Sequence, residues 1–224
     1  MSETLESTIS IFVKPTENIA RKIMEIKRQV NTYYPDHEES SPHVSIYSCK
    51  FDEEKYSQLL EVLSHIDIPA FTAVIGPLVF KEMPKRNYTF VSLNFANAEA
   101  FVDLHKKVLA IANPLRGGLV RQKDINRHVN GEMSKEGWRA TQEYGFQYFM
   151  ERYLPHMTIG VTTIGDEGKA TVLKGKLEQF ENQTFPVAEF YIKLSRRSIP
   201  DETKIFESEL TSIALRRDSA VVLG

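Results

Sequence analysis

Apolar positions along this chain switch repeatedly between a period of two and a period near 3.6. Residues 8–13 read as a short strand that ends near Pro15. Ile19, Ile23, Ile26, Val30 and Tyr33 then step by four, three, four and three residues, an apolar stripe along one helix face, and Pro35 stops it. An acidic loop at 36–40 leads into a second strand at 41–47. Asp52 is placed to cap the next helix, with Glu53 and Glu54 in its first turn and Tyr56, Leu59, Leu63 and Ile66 as its stripe. Residues 71–80 and 87–95 read as strands.

The same order then recurs. Asn97 is placed to cap a helix carrying Phe101, Leu104, Val108 and Ile111, which Asn113-Pro114 stops. A long insert precedes a strand at 154–160. A helix with Leu173, Leu177 and Phe180 follows, then strands at 185–195 and 204–215. Strand, helix, strand, helix, strand thus occurs twice, over 8–80 and 88–195. This pattern predicts an α+β, bilobal pseudo-twofold fold. Each lobe would be an antiparallel sheet with helices on one face, with a central cleft between the lobes. One domain over residues 1–224 is expected, closed by the strand at 204–215.

The two units differ in one place. His43 lies 27 residues after Thr16, where the first helix begins, and His156 lies 58 after Ala98, so the second unit carries 31 extra residues (58 − 27). They fall between Pro114 and Leu154, and the insert proper is placed at 116–140. Its paired Gly117-Gly118 and its polarity predict a mobile flap over the cleft at 116–131. Trp138, Tyr144, Phe146, Tyr148 and Phe149 predict that the later part packs, as a short helix.

The chemistry sits on the two strands that the repeat places in equivalent positions. Ser41-Pro42-His43-Val44-Ser45-Ile46-Tyr47 and Leu154-Pro155-His156-Met157-Thr158-Ile159-Gly160 both read Pro-His, an apolar residue, a hydroxyl residue, then Ile. On a strand, residues i and i+2 share a face. Val44 and Ile46 would face the core, and His43, Ser45 and Tyr47 the cleft. Met157 and Ile159 would likewise turn inward, and His156 and Thr158 outward. One such tripeptide is common by chance; two in matched positions point to a function. Two imidazoles can divide general-base and general-acid duties, and two hydroxyls can donate to the oxygens of a phosphodiester lying between them.

The rival readings are weaker. A zinc site needs a third protein ligand, and neither motif carries a carboxylate or Cys at ligand spacing. His37, His65, His105 and His128 share no pattern, so no metal and no cofactor is expected. Gly117-Gly118 lacks the Gly-Lys-Ser/Thr of a nucleotide-hydrolase phosphate loop, and no Gly-x-Ser-x-Gly elbow occurs. Cys49 would lie on the cleft face by strand parity. It is six residues, roughly 20 Å, from His43, too far to pair with it. It reads as a partly buried thiol.

Composition adds limits. The chain has 224 residues, 42% hydrophobic and 26% charged, with a formal net charge of −2, so no global basic field attracts nucleic acid. Local basic groups remain at Lys85-Arg86, at Arg116, Arg121 and Lys123, and at Arg196-Arg197. A single Cys excludes an intrachain disulfide and fits a reducing cytoplasm. The longest apolar run, 71–80, is too short to span a bilayer, so no membrane is expected, and nothing indicates an obligatory protein partner.

Pro42-His43-Val44-Ser45 and Pro155-His156-Met157-Thr158, one per half-repeat, resemble the two-histidine phosphoesterase superfamily. That group includes RNA 2′-5′ ligases and cyclic nucleotide phosphodiesterases. The run Tyr144-Gly145-Phe146-Gln147-Tyr148 is also similar to a bacterial branch linked to phosphonate metabolism. The superfamily resemblance implies metal-independent catalysis by His43 and His156 with Ser45 and Thr158. Tyr47 and Arg121 are added as candidate substrate contacts. The expected activity is cleavage of a 2′,3′-cyclic phosphate or 2′-5′ phosphodiester in a nucleotide, oligonucleotide or RNA end. RNA 2′-5′ ligation or end processing, and a non-catalytic nucleotide-binding module, are the alternatives.

Overall fold

The structure, a computed structural model, describes residues 4–30, 41–84, 87–199 and 205–216. Tyr33, Pro35, His37, the acidic loop at 36–40, Lys85-Arg86 and Lys204 lie outside these. Eight strands and six α-helices are present among the described residues. They are β1 (Thr4–Val13), α1 (Glu17–Val30), β2 (Val44–Lys50), α2 (Tyr56–Ser64), β3 (Phe71–Met83), β4 (Tyr88–Phe95), α3 (Ala98–Arg116), α4 (Gln122–Val129), α5 (Lys135–Tyr144), β5 (His156–Thr163), α6 (Glu167–Leu177), β6 (Thr184–Val187), β7 (Glu189–Ile199) and β8 (Ile205–Ala214).

All strand pairs of the sheet are antiparallel, and the order is β6-β3-β4-β5-β2-β1-β7-β8. The two histidine strands, β2 and β5, are neighbours at its centre. Outward from them the halves mirror each other: β2 is flanked by β1, then β7, and β5 by β4, then β3. Each repeat's third strand therefore joins the other repeat's pair. The fold class expected from the sequence, α+β with antiparallel pairing, is the one observed. The sheet runs on through its middle at the paired residues Val44 and Met157.

One apolar cluster joins sheet and helices. Ile9, Ile11 and Val13 of β1, Val44 and Ile46 of β2, Val91 and Leu93 of β4, and Met157 and Ile159 of β5 pack with Ile19, Ile23, Leu59, Leu104, Val108 and Leu173 from the helices. The stripes read from the sequence are the buried faces. Asp52 caps the short 3-10 turn Glu53–Lys55 that leads into α2, accepting from the Glu54 N–H at 3.1 Å.

Three expectations change. Asn97 does not cap α3; its side chain bridges strand β3 instead, accepting from Val74 N–H at 2.8 Å and donating to Thr72 carbonyl at 2.7 Å. Asn113-Pro114 does not end α3, which runs to Arg116 and stops at Gly117 in the left-handed conformation (φ 63°). The strand read at 185–195 is two, β6 and β7, which part at Ala188 and lie far apart in the sheet. The strand read at 71–80 carries Gly76-Pro77 within β3. Ile75 pairs with Phe95 and Leu78 with Leu93, so one extra residue is accommodated there and Pro77 sits in the bulge. A Cβ on Gly76 would lie 3.0 Å from the Ala96 backbone nitrogen, so any larger residue would press on the β4 end.

Candidate functional site

The register at the sheet centre sets the site. Val44 pairs with Met157 in antiparallel sense. Counting one residue each way puts His43 opposite Thr158 and Ser45 opposite His156. The pairing partners Val44 and Met157 are both fully buried, so the four residues beside them share the opposite, outer face. Two imidazoles and two hydroxyls thus form a four-cornered group with the histidines on one diagonal. The charge of His156 is felt at His43.

Each histidine is held in the same way. The Nδ1 of His43 donates to the Ser41 carbonyl at 3.0 Å, and the Nδ1 of His156 to the Leu154 carbonyl at 2.8 Å. In both cases the acceptor lies two residues back across a proline, whose fixed φ and restriction on the preceding residue shape the bend. With Nδ1 bound to a carbonyl, Nε2 is the nitrogen left to accept or deliver a proton. Phe12 meets the His43 ring edge-on at 5.3 Å, and Phe90 meets His156 at 5.5 Å. Both imidazoles have lowered pKa values. Burial is the main cause for each, opposed by the carbonyl bond. Lys27, His156 and Lys193 lower His43 further, and Lys81 lowers His156.

A bulge follows the hydroxyl residue in each strand. Ile11 pairs with Tyr47 but Phe12 with Ser45, so Ile46 is the extra residue; Val91 pairs with Gly160 but Ser92 with Thr158, so Ile159 is its counterpart. The bulge reverses the parity of everything beyond it. Tyr47, expected in the cleft, is fully buried on the core side and stacks on Phe149 at 5.1 Å. Cys49 is likewise fully buried in the core, and burial pushes its thiol up to about 12. Ser48 takes the outer position instead.

Two core residues grip the first bulge from behind. Tyr153 Oη donates to the Ser45 carbonyl at 2.9 Å, and buried His105 donates from Nδ1 to the Ile46 carbonyl at 2.7 Å. The Nε2 of His105 accepts from the Met150 N–H at 3.2 Å, and its ring stacks on Tyr153 at 4.0 Å. His105 needs both bonds at once, so it is neutral; burial lowers its pKa accordingly.

The insert is folded, not a mobile flap. Arg116, one of the local basic groups at the start of that segment, is 2% exposed and points inward. It donates to Asn113 Oδ1 at 2.9 Å, to the Leu119 carbonyl, and to the Gln142 and Glu143 carbonyls, each at 3.0 Å. That bolts the end of α3 to the end of α5, the short helix that the aromatic content predicted. The start of α4 is fixed to β1, where the buried Glu6 carboxylate accepts from Gln122 N–H at 3.0 Å and pairs with Lys50 at 3.1 Å. A carboxylate there is favoured by the helix dipole. Gly145 is left-handed (φ 91°), and a Cβ would lie 2.9 Å from that of Cys49.

One consequence is a cavity of about 220 Å³ on the His43 side. Thr8, Ser10, Phe12, His43, Ser45, Ser48, Arg121, Lys123 and Arg197 line it. Arg121 therefore does reach the site, beside His43 and Ser45; Tyr47 does not. His156 and Thr158 stand on the neighbouring strand outside this lining. Arg196 turns away to a bidentate pair with Glu53, which holds that carboxyl down at about 2. Sequence reasoning missed Phe12, Phe90, Ser10, Ser48, His105 and Tyr153. Only Phe90 left a signal, sharing the alternation of its strand with Ser92. Among the described residues, no three His, Cys, Asp or Glu side chains converge in a way that could hold a metal ion, and no helix is long and apolar enough to cross a membrane.

Comparison with known proteins returns the same group that the motifs resemble. The family model of the 2′-5′ RNA ligase superfamily matches residues 15–196. The apo crystal structure of Escherichia coli LigT superposes with a TM-score of 0.54 at 13% identity, covering 96% of this chain and 100% of that one. Kluyveromyces marxianus Usb1 gives a TM-score of 0.50 at 12% identity, covering 94% and 98%. A crystal structure described as a phosphoesterase gives 0.50 at 13%, covering 94% and 99%. No curated protein sequence matches.

Proposed function

Because the chain belongs to the 2′-5′ RNA ligase superfamily, we propose that it is a phosphodiesterase cleaving a 2′,3′-cyclic phosphate or a 2′-5′ linkage in a nucleotide or RNA end. His43 and His156 form its acid–base pair. The observation that carries this reading is the Val44–Met157 pairing, which sets both imidazoles and both hydroxyls on one face of two adjacent strands. LigT with 3′-AMP and Usb1 with uridine monophosphate are solved complexes of this fold, and nucleotides are the ligand class expected here.

The chemistry follows from the geometry. With the phosphoryl group between the two Nε2 atoms, one neutral imidazole takes a proton from the attacking water. The new O–P bond forms, the bond to the ribose oxygen breaks, and the second, protonated imidazole delivers its proton to that oxygen. Ser45 and Thr158 donate to the non-bridging oxygens, where charge accumulates. No step calls for a metal ion.

The test is turnover by purified protein of cyclic mononucleotides, 2′-5′ oligoadenylates, cyclic oligonucleotides and RNA ends, with EDTA present. Cleavage of at least one class, lost in His43→Ala and His156→Ala, is expected. Inactivity on every class, or activity that chelation abolishes and zinc or manganese restores, would overturn the reading.

A further inference from the structure

The twofold repeat of the histidine motifs is broken on one side. The cavity beside His43 has three cationic side chains, Arg121, Lys123 and Arg197, and four hydroxyls, Thr8, Ser10, Ser45 and Ser48, and no carboxylate among its lining residues. Two of the cations belong to the insert, which only the second repeat possesses. A site that treated the two ends of its substrate alike would not need this.

Arg121 is the most telling member. It is 6% exposed, and its Nη2 has no hydrogen-bond partner, although a buried guanidinium normally uses all its donors. Its position is nonetheless fixed. Nε donates to Asp124 Oδ2 at 2.7 Å, and the guanidinium lies 4.9 Å from the centre of the Phe146 ring. A desolvated, oriented and unspent donor, bordering a cavity rich in cations and hydroxyls, matches a tetrahedral oxyanion. The Ser10 and Ser48 hydroxyls lie 3.3 Å apart on adjacent strands, a pair able to turn toward the same ligand.

We infer that this cavity is a second phosphate subsite, and that the substrate carries a further phosphate beyond the one attacked, held on the His43 side by Arg121. The inference rests on the phosphodiesterase reading for which phosphate is cleaved, but not for whether the subsite binds. That second phosphate has two sources. It is either a terminal phosphomonoester on a nucleotide or the internucleotide phosphate of a longer strand. In either case the enzyme distinguishes the two ends of its substrate, the anionic end lying toward β1 and the insert.

Binding and turnover test it separately. In calorimetric titrations, adenosine 3′,5′-bisphosphate should bind at least about tenfold more tightly than adenosine 3′-monophosphate. Arg121→Gln should bring the two affinities together, and Lys123→Gln should narrow the gap, which covers the case in which the first variant fails to fold. Lys174→Gln, on the exposed face of α6, should leave the gap in place. Equal affinity of the unmodified protein for both probes would overturn the subsite, as would a gap untouched by Arg121→Gln. These results stand whether or not turnover is found, so failure of the subsite and failure of the catalytic reading can be told apart. In the turnover arm, a 5′-phosphorylated 2′,3′-cyclic nucleotide and an unphosphorylated dinucleotide ending in a 2′,3′-cyclic phosphate are compared with the plain cyclic mononucleotide. A lower KM for the first assigns the subsite to a terminal phosphate, and for the second to an internucleotide phosphate; no gain with either counts against it.

Discussion

At the scale of single residues, the site is two copies of one local solution: a proline bend, a carbonyl holding Nδ1, an aromatic edge against the ring, and a hydroxyl two positions on. If the two imidazoles share one reaction, His43→Ala and His156→Ala should each lower kcat by roughly 10²–10⁴ with the fold intact. The double variant should fall well short of the product of those losses, since members of one catalytic unit are not additive. Ser45→Ala and Thr158→Ala should cost about 10–10³ each. A single histidine variant with near-normal kcat would remove the pair from the mechanism. The pH profile carries a sign. Both imidazoles have lowered pKa values, mainly through burial, and each adds cationic repulsion to that. The singly protonated pair is therefore most populated on the acid side of the ordinary histidine value of about 6.5. A bell in kcat/KM centred below that pH is expected, with its two limbs belonging to the pair jointly. A bell centred at pH 8 would contradict the field these residues create.

At the scale of elements, the alternation of apolar and polar positions made the strands, helices and their order legible. It also placed His43, Ser45, His156 and Thr158, all of which precede the first irregularity of their strands. Tyr47 and Cys49 follow it, and strand parity alone put them on the wrong face. A bulge of one residue reverses every later side chain, and nothing in Ile46 or Ile159 as residue types announces one. What the bulge needs is supplied from far along the chain, by His105 and Tyr153, and such contacts leave no periodic signature. The insert was misread for a similar reason. Its glycines and polarity suggested mobility, but Arg116 finds four acceptors there, three of them backbone carbonyls. Two expected outcomes follow. Tyr153→Phe removes the bond to the Ser45 carbonyl and should destabilise by about 1 kcal/mol. It should lower kcat more than it raises KM, because it loosens the hydroxyl and not the binding of the remote parts of substrate; unfolding and steady-state kinetics measure the two effects. Thermal stability should also fall as pH drops below about 6.5. The native pKa values of His43, His105 and His156 lie below their unfolded value, so the unfolded chain binds more protons in acid. The stability is complete above that pH and lost progressively beneath it. His105→Asn should flatten the decline measured by calorimetry, and a melting temperature constant from pH 8 to pH 5 would contradict the lowered values of the three rings.

At the scale of the molecule, the sheet places a charged cavity beside its centre, in a protein whose formal net charge is −2. A salt titration separates a reader of short anionic ends from a binder of extended strands. A protein that tracks a single strand neutralises more phosphates as the strand lengthens. Its log K then falls with log salt at a slope near −0.7 per phosphate contacted, growing in step with length. Among the described residues, the basic groups drawn toward the site are confined: Arg121, Lys123 and Arg197 line the cavity, and Lys27, Lys193 and Lys81 act on the histidines. Of the others singled out in the sequence, Arg116 is spent on carbonyls and Arg196 on Glu53. The salt slope should therefore be that of about two or three phosphates and should stop rising beyond a di- or trinucleotide. Fluorescence titration of a His43→Ala/His156→Ala protein with 5′-labelled oligonucleotides of one to eight residues, between 50 and 300 mM salt, measures it without turnover. A slope that keeps climbing through eight residues would mean that a basic track extends past the cavity. RNA strand processing would then displace the short-ended nucleotide as the preferred substrate.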